Sequence, residues 1–133
     1  RVTQTKGKGD MRYVGIGTGM NSLIRPALYG SYHEIVNLSK VDEAPTETVT
    51  VVGPICETGD KLGSDRLLPQ SEENDVILIA NAGAYGYVMS SNYNLRPRPA
   101  EVVVEEEDFQ IARRAETRQE LVARELNLNR DRR

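Results

Sequence analysis

The sequence predicts a mainly β domain of barrel or sandwich type that ends in a short C-terminal helix, and three observations predict it. Short runs rich in Val, Ile and Thr recur at residues 48–52, 75–80 and 101–104. Clusters of Gly, Pro and Asn separate them, as turns do. The one well-formed helix signal stands near the end of the chain, at residues 117–126. A length of 133 residues suits one domain, which would bury roughly two-thirds of its unfolded surface. Hydrophobic content of 38%, charged content of 28% and a net charge of −3 are those of a soluble globular protein. They offer no electrostatic footprint for nucleic acid or an anionic membrane. No apolar run approaches the ~20 residues of a spanning helix, and the opening RVTQTKGKGD lacks the apolar core of a signal peptide. A single cysteine cannot make an internal disulfide and fits a reducing compartment, the cytoplasm or a plastid. The chain opens on Arg1 rather than Met and reads as a fragment of a longer protein.

Taken in order, residues 1–6 alternate Val2 with Thr3 and Thr5. The break Gly7-Lys8-Gly9-Asp10 then leads into strand formers at 11–16, so the start reads as a β-hairpin. Gly15-Ile16-Gly17-Thr18-Gly19 looks like a phosphate loop on paper, but neither GxGxxG nor the Walker spacing is met, and a bulge or sharp turn is expected instead. Residues 20–30 contain Pro26, which biases Arg25 away from helix, so this segment reads as irregular or as a single turn. If a turn follows Pro26, Arg25 and Tyr29 fall on one side, where guanidinium and phenol can grip a carboxylate together. The same spacing fits a surface arginine beside a half-buried tyrosine. Residues 31–38 alternate and read as a strand. They hold His33, the single histidine, with no cysteine or second histidine near it, so no zinc site is expected.

A polar loop at 40–47 precedes the run 48–52, which Gly53-Pro54 stops and turns. Cys56 and Glu57 therefore sit at a strand end, followed by Gly59-Asp60, on a loop of the kind that carries sites. Cys56 also fits a small buried hydrophobe with Glu57 as a solvated charge. Residues 61–74 read as a second polar connection, and 75–80, the most apolar run, as a buried central strand. After it, Gly83 and Gly86 bracket Tyr85, which suits close approach of the backbone to a ligand or a packed core tyrosine. Residues 90–99, with Pro97 and Pro99, cannot be regular helix. Residues 101–104 resume a strand ahead of the acidic stretch 105–108. Thr117-x-x-Glu120 matches a capping box, Leu121, Val122, Ala123 and Leu126 give a modest apolar face, and 127–133 is expected to fray. The sum is six or so short strands and a terminal helix, with no internal repeat.

Three segments together, GMNSLIRPALYGSYHEIVNL, VVGPICETGD and NAGAYGYVMSSNYNLRPRPAEV, resemble the C-terminal domain of the diaminopimelate decarboxylases. The resemblance spans about residues 14–117. It implies a pyridoxal-phosphate enzyme of lysine biosynthesis that converts meso-2,6-diaminopimelate to L-lysine and CO2, with an N-terminal (β/α)8 barrel holding the cofactor lysine outside this chain. The four lysines here, Lys6, Lys8, Lys40 and Lys61, lie outside the matching motifs. Gly17-Thr18 departs from the Asp-Ala that many family members carry before Gly-Met-Asn. The resemblance implies a head-to-tail homodimer in which the Cys-Glu loop of one subunit completes the site of the other. It implies that Cys56 is the proton donor, that Arg25, Tyr29 and Glu57 bind the distal end of the substrate, and that Tyr85 contacts the cofactor and lies beside the substrate. The alternatives are a relative acting on ornithine, arginine or carboxynorspermidine, or a non-catalytic β dimerisation module.

Overall fold

The computed structural model describes residues 1–125. The expected fraying of 127–133 and the helix position of Leu126 lie outside the described residues. The chain divides into two compact units, Arg1–Ser91 and a second beginning at Asn92.

In the first unit, β1 (Val2–Lys8) and β2 (Met11–Ile16) form the expected antiparallel hairpin around Gly9-Asp10. A single helical turn, α1 (Arg25–Tyr29), follows. Helix α1 starts at Arg25 although a proline comes next. Pro26 stands in the first turn, where its missing N–H costs nothing, and Gly30 closes the turn in the left-handed conformation at φ 63°. Strand β3 (Ile35–Asn37) is shorter than the strand expected at 31–38. It stops where the Asn37 side chain accepts a hydrogen bond from the Ser39 N–H and starts a turn of 3-10 helix.

Strand β4 (Glu47–Val52) lies where the β-branched run predicts it. The polar connection expected at 61–74 is instead largely a strand, β5 (Lys61–Leu68), antiparallel to β4. Its polarity hides it because only Leu62, Gly63 and Leu68 turn inward, and a register shift around Asp65, at φ 53°, breaks the alternation that would reveal a strand. Strand β6 (Ile77–Ile79) is not the buried central strand expected: it pairs only with β3, and Leu78 is 43% exposed.

The main sheet runs β1-β2-β4-β5, with β2 and β4 parallel. No closed barrel forms among the described residues, whose strands lie in one four-stranded and two two-stranded sheets. Val2, Val14, Ile16, Val49, Val51, Leu62 and Leu68 from the main sheet join Leu23 and Ile35 in one core. Full burial of side chains such as Val51 and Leu62 contributes roughly 1.5–3 kcal/mol each. Beside it lies a polar network: the buried Asn37 amide donates to Ser71 Oγ at 3.1 Å and Asp75 Oδ2 at 2.8 Å. Burial pushes the Asp75 carboxyl up, but bonds from the Glu72 N–H and Asn37 outweigh it and hold the group below the usual carboxylate range.

The second unit holds β7 (Glu101–Glu105) and β8 (Asp108–Arg113), an antiparallel hairpin that turns at Glu106, φ 54°. The second arm is absent from the sequence reading because its acidic lead-in resembles a loop and its apolar residues, Phe109 and Ile111, are exposed. The capping box is present as expected at the start of α3 (Arg118–Val122). Its Glu120 carboxylate accepts from the Thr117 N–H at 2.7 Å and pairs with both terminal nitrogens of Arg114.

Arg114 first, and then Thr117, depress the Glu120 carboxyl from 4.5 to about 2. A carboxyl depressed on folding stabilises above its unfolded pKa and loses that contribution as pH falls through the folded value. The Thr117 and Glu120 amide shifts are therefore expected to hold from pH 7 to about 4.5 and to move toward coil values between 4.5 and 2. Glu120→Gln should remove this transition. Two-dimensional NMR across the pH range checks it.

Candidate functional site

The parallel pairing of β2 with β4 decides where the motifs meet. Tyr13, Val14 and Gly15 stand opposite Thr50, Val51 and Val52, so both strands end at the same edge and their following loops leave side by side. The first loop, 17–24, leads into α1. The second, 53–60, carries Cys56 and Glu57.

Asp60 joins the two loops. Its buried carboxylate accepts the Met20 N–H on Oδ1 and the Ile55 N–H on Oδ2, each at 2.6 Å. Its backbone accepts from the Gly53 N–H at 3.0 Å and donates to the Glu57 carbonyl at 3.1 Å, which closes the loop at its base. Such contacts are possible only because Gly19 and Gly53 lack side chains. A Cβ on Gly19 would lie 2.4 Å from the Asp60 carboxylate, and one on Gly53 would lie 2.4 Å from both that carboxylate and the Gly19 Cα. Ile55 packs inward at 6% exposure, while Cys56, Glu57, Thr58 and Gly59 face outward. The loop thus has a fixed root and a displayed tip.

Helix α1 flanks this tip: the side-chain position of Gly59 is 3.9 Å from the Ala27 Cβ. Its helical turn brings Arg25 and Tyr29 together as the spacing predicts, with the guanidinium carbon 5.8 Å from the centre of the Tyr29 ring. The same guanidinium lies 5.0 Å from the Tyr85 ring. Arg25 therefore stands against two aromatic faces, which hold a cation by ring quadrupole and limit its rotamers. Tyr85 belongs to a second short turn, α2 (Gly83–Gly86), and is 54% exposed, so it is no packed core residue. Gly83 and Gly86 have open space where a Cβ would stand and no positive φ. They leave the approach to the phenol uncrowded rather than bending the chain.

Cys56 is exposed, against the buried-thiol alternative. His33 is buried, with Nδ1 3.0 Å from the Ala80 carbonyl and Nε2 without a hydrogen-bond partner among the described residues. Lys40 donates to the Gln70 carbonyl at 2.7 Å and pairs with Glu72 at 3.1 Å, and Glu72 raises its pKa. Among the described residues no group of three or more His, Cys, Asp or Glu could hold a metal ion, and no helix is long and apolar enough to cross a membrane.

The family described as pyridoxal-dependent decarboxylase, C-terminal sheet domain, matches residues 1–83, which contain the parallel pair and both loops. The chain belongs to this family. Diaminopimelate decarboxylase of Archaeoglobus fulgidus is 49% identical over 125 residues, covering 94% of this chain and 30% of that relative. A crystal structure of AQ1208 from Aquifex aeolicus superposes with a TM-score of 0.86 at 39% identity over 96% of this chain and 31% of that one. Diaminopimelate decarboxylase from M. jannaschii in co-complex with L-lysine gives 0.84 at 36% identity, over 94% of this chain and 28% of that one. The chain spans about 30% of the length of the curated relatives it matches.

Within this decarboxylase domain, Arg25, Tyr29 and Tyr85 form one cluster, and Cys56 and Glu57 stand exposed on the loop beside α1. Sequence reasoning missed Asp60, reading Gly59-Asp60 only as the end of the loop. Its signal was an acid in a loop with glycines at both of the places it must approach. Gly53→Ala is expected to destabilise the fold by about 1–3 kcal/mol through overpacking against backbone. Gly83→Ala, with open space around it, should change stability by less than ~0.5 kcal/mol. Urea unfolding of the two variants compares them.

Proposed function

We propose that the protein containing this chain is a pyridoxal-phosphate-dependent diaminopimelate decarboxylase, releasing CO2 from meso-2,6-diaminopimelate to leave L-lysine, and that this domain supplies part of its active site. The observation that carries the reading is Arg25 held between Tyr29 and Tyr85 at the flank of an exposed Cys56-Glu57 loop. The names of the relatives support it. The distal end of this substrate carries an ammonium and a carboxylate, so recognition needs a donor fork and an acid side by side. Arg25, with the Tyr29 hydroxyl, suits the carboxylate, and Glu57 suits the ammonium.

The residues present fit one side of a cofactor site. An exposed phenol on uncrowded backbone, with a guanidinium against its ring, can face an anionic group, and Tyr85 would hold pyridoxal phosphate there. When bound, that group accepts the electron pair left by the departing carboxylate. Cys56 then delivers a proton from Sγ to the carbon that has lost CO2. A thiol placed within reach of that carbon can act as a general acid. The anchoring lysine belongs to an N-terminal barrel, and the Cys56-Glu57 tip serves the site of a second copy in a cytoplasmic homodimer.

Ornithine has no distal carboxylate, and a site built to bond one rejects the analogue because its own donors go unpaired. The full-length protein is expected to release CO2 from meso-diaminopimelate and not from ornithine. Arg25→Met should raise KM for diaminopimelate at least tenfold while the cofactor absorbance is unchanged. Loss of the absorbance in that variant would make Arg25 a cofactor-holding or structural residue, and turnover of ornithine by the parent protein would replace the substrate.

A further inference from the structure

A cleft of about 420 Å³ lies between α1, the end of the Cys56-Glu57 loop and β5. Neither Arg25, Tyr29, Cys56 nor Glu57 lines it. We infer that this cleft is a binding site for a small dianion, a phosphoryl group or a dicarboxylate.

The chemistry of its wall is one-sided. Lys61 and Arg66 supply two cations, Ser31, Thr58 and Ser64 supply three hydroxyls, and no carboxylate lines it. Neither cation has an ion pair among the described residues. Most surface cations are simply solvated, but Arg66 is not placed as a solvated side chain. The bulge of β5 at Asp65, φ 53°, returns Arg66 over Gly63, where a Cβ would lie 2.4 Å from its Nε. On its other side the guanidinium carbon is 3.9 Å from the centre of the Tyr32 ring. The glycine shelf and the ring hold the fork in place before any ligand arrives.

The clamped group is also incomplete. Arg66 Nε is buried and has no hydrogen-bond partner among the described residues, an arrangement that costs desolvation without return. The neighbouring carboxylate, Glu34, accepts instead from the Tyr32 hydroxyl. A planar donor fork beside an ammonium and three hydroxyls matches the oxygens of phosphate or paired carboxylates. Because Thr58 lies on the Cys56-Glu57 loop and Ser31 follows α1, a bound anion would bridge both elements. The inference stands on this cleft alone and does not depend on the decarboxylase reading.

Isothermal titration of the full-length protein with inorganic phosphate, and separately with succinate, tests it. At least one should bind, with affinity reduced tenfold or more in Lys61→Met and in Arg66→Met and unchanged in Arg25→Met. Which anion binds decides between the phosphoryl and dicarboxylate classes. Lys61 is exposed, so its variant keeps the test valid if Arg66→Met fails to fold. Absence of binding by both anions, or binding abolished by Arg25→Met but not by Lys61→Met, would overturn the assignment.

Discussion

The carboxylate of Asp60 is the constraint on which the rest of this domain depends. It accepts one backbone N–H from each of two loops, at Met20 and Ile55, and leaves room for no side chain at Gly19 or Gly53. Hydrogen bonds to a charged acceptor contribute roughly 1.5–3 kcal/mol each. Removing the acceptor would also leave two N–H groups without their partner in a tight place. The interaction therefore does two things together: it stabilises the edge of the main sheet, and it sets the height and direction of the Cys56-Glu57 tip.

That clamp works because β2 and β4 run parallel. Antiparallel neighbours would send the two loops to opposite edges, whereas the parallel register places them at one end, as ligand-binding loops gather at the carboxyl ends of parallel strands in open α/β sheets. Helix α1 then carries Arg25 and Tyr29 past the loop, and α2 contributes Tyr85 to the same cluster. The proposed site is distributed over three short elements with few backbone bonds of their own, and rigid strands beneath them would supply the precision. The cleft between α1 and β5 uses the same economy: a bulge in β5 turns a strand residue, Arg66, into a fixed donor.

What could be read directly from the residues was local. The first hairpin, the strand at 48–52, a single turn in the Pro26 segment, though it starts one residue earlier at Arg25, and the capping box of α3 each follow from signals within a few positions, and all are present. The resemblance carried by RPALY, CETGD and GAYG pointed to the family that the comparisons establish. Elements that depend on distant partners were not legible. Strand β5 has a polar sequence because its outer face is solvated, and its bulge removes the alternation. Strand β6 is apolar enough for a central strand yet finds only β3 as neighbour. Asp60 went unread because its partners stand 5 and 40 positions away, so that only the glycines at Gly19 and Gly53 hint at it. Nor does spacing reveal that Tyr85 meets Arg25, a contact made only by the folded chain.

The most direct test of the account is a double-mutant cycle in the full-length protein, measuring kcat and KM for diaminopimelate with Cys56→Ala, Asp60→Asn and both together. If Asp60 acts by holding Cys56 in place, each single change lowers kcat at least tenfold with KM changed much less. The double variant is then no slower than Cys56→Ala alone, because a misplaced donor and a missing one are equivalent. Losses that multiply in the double variant, or a kcat unaltered by Asp60→Asn, would contradict the claim that this carboxylate works through the loop it clamps.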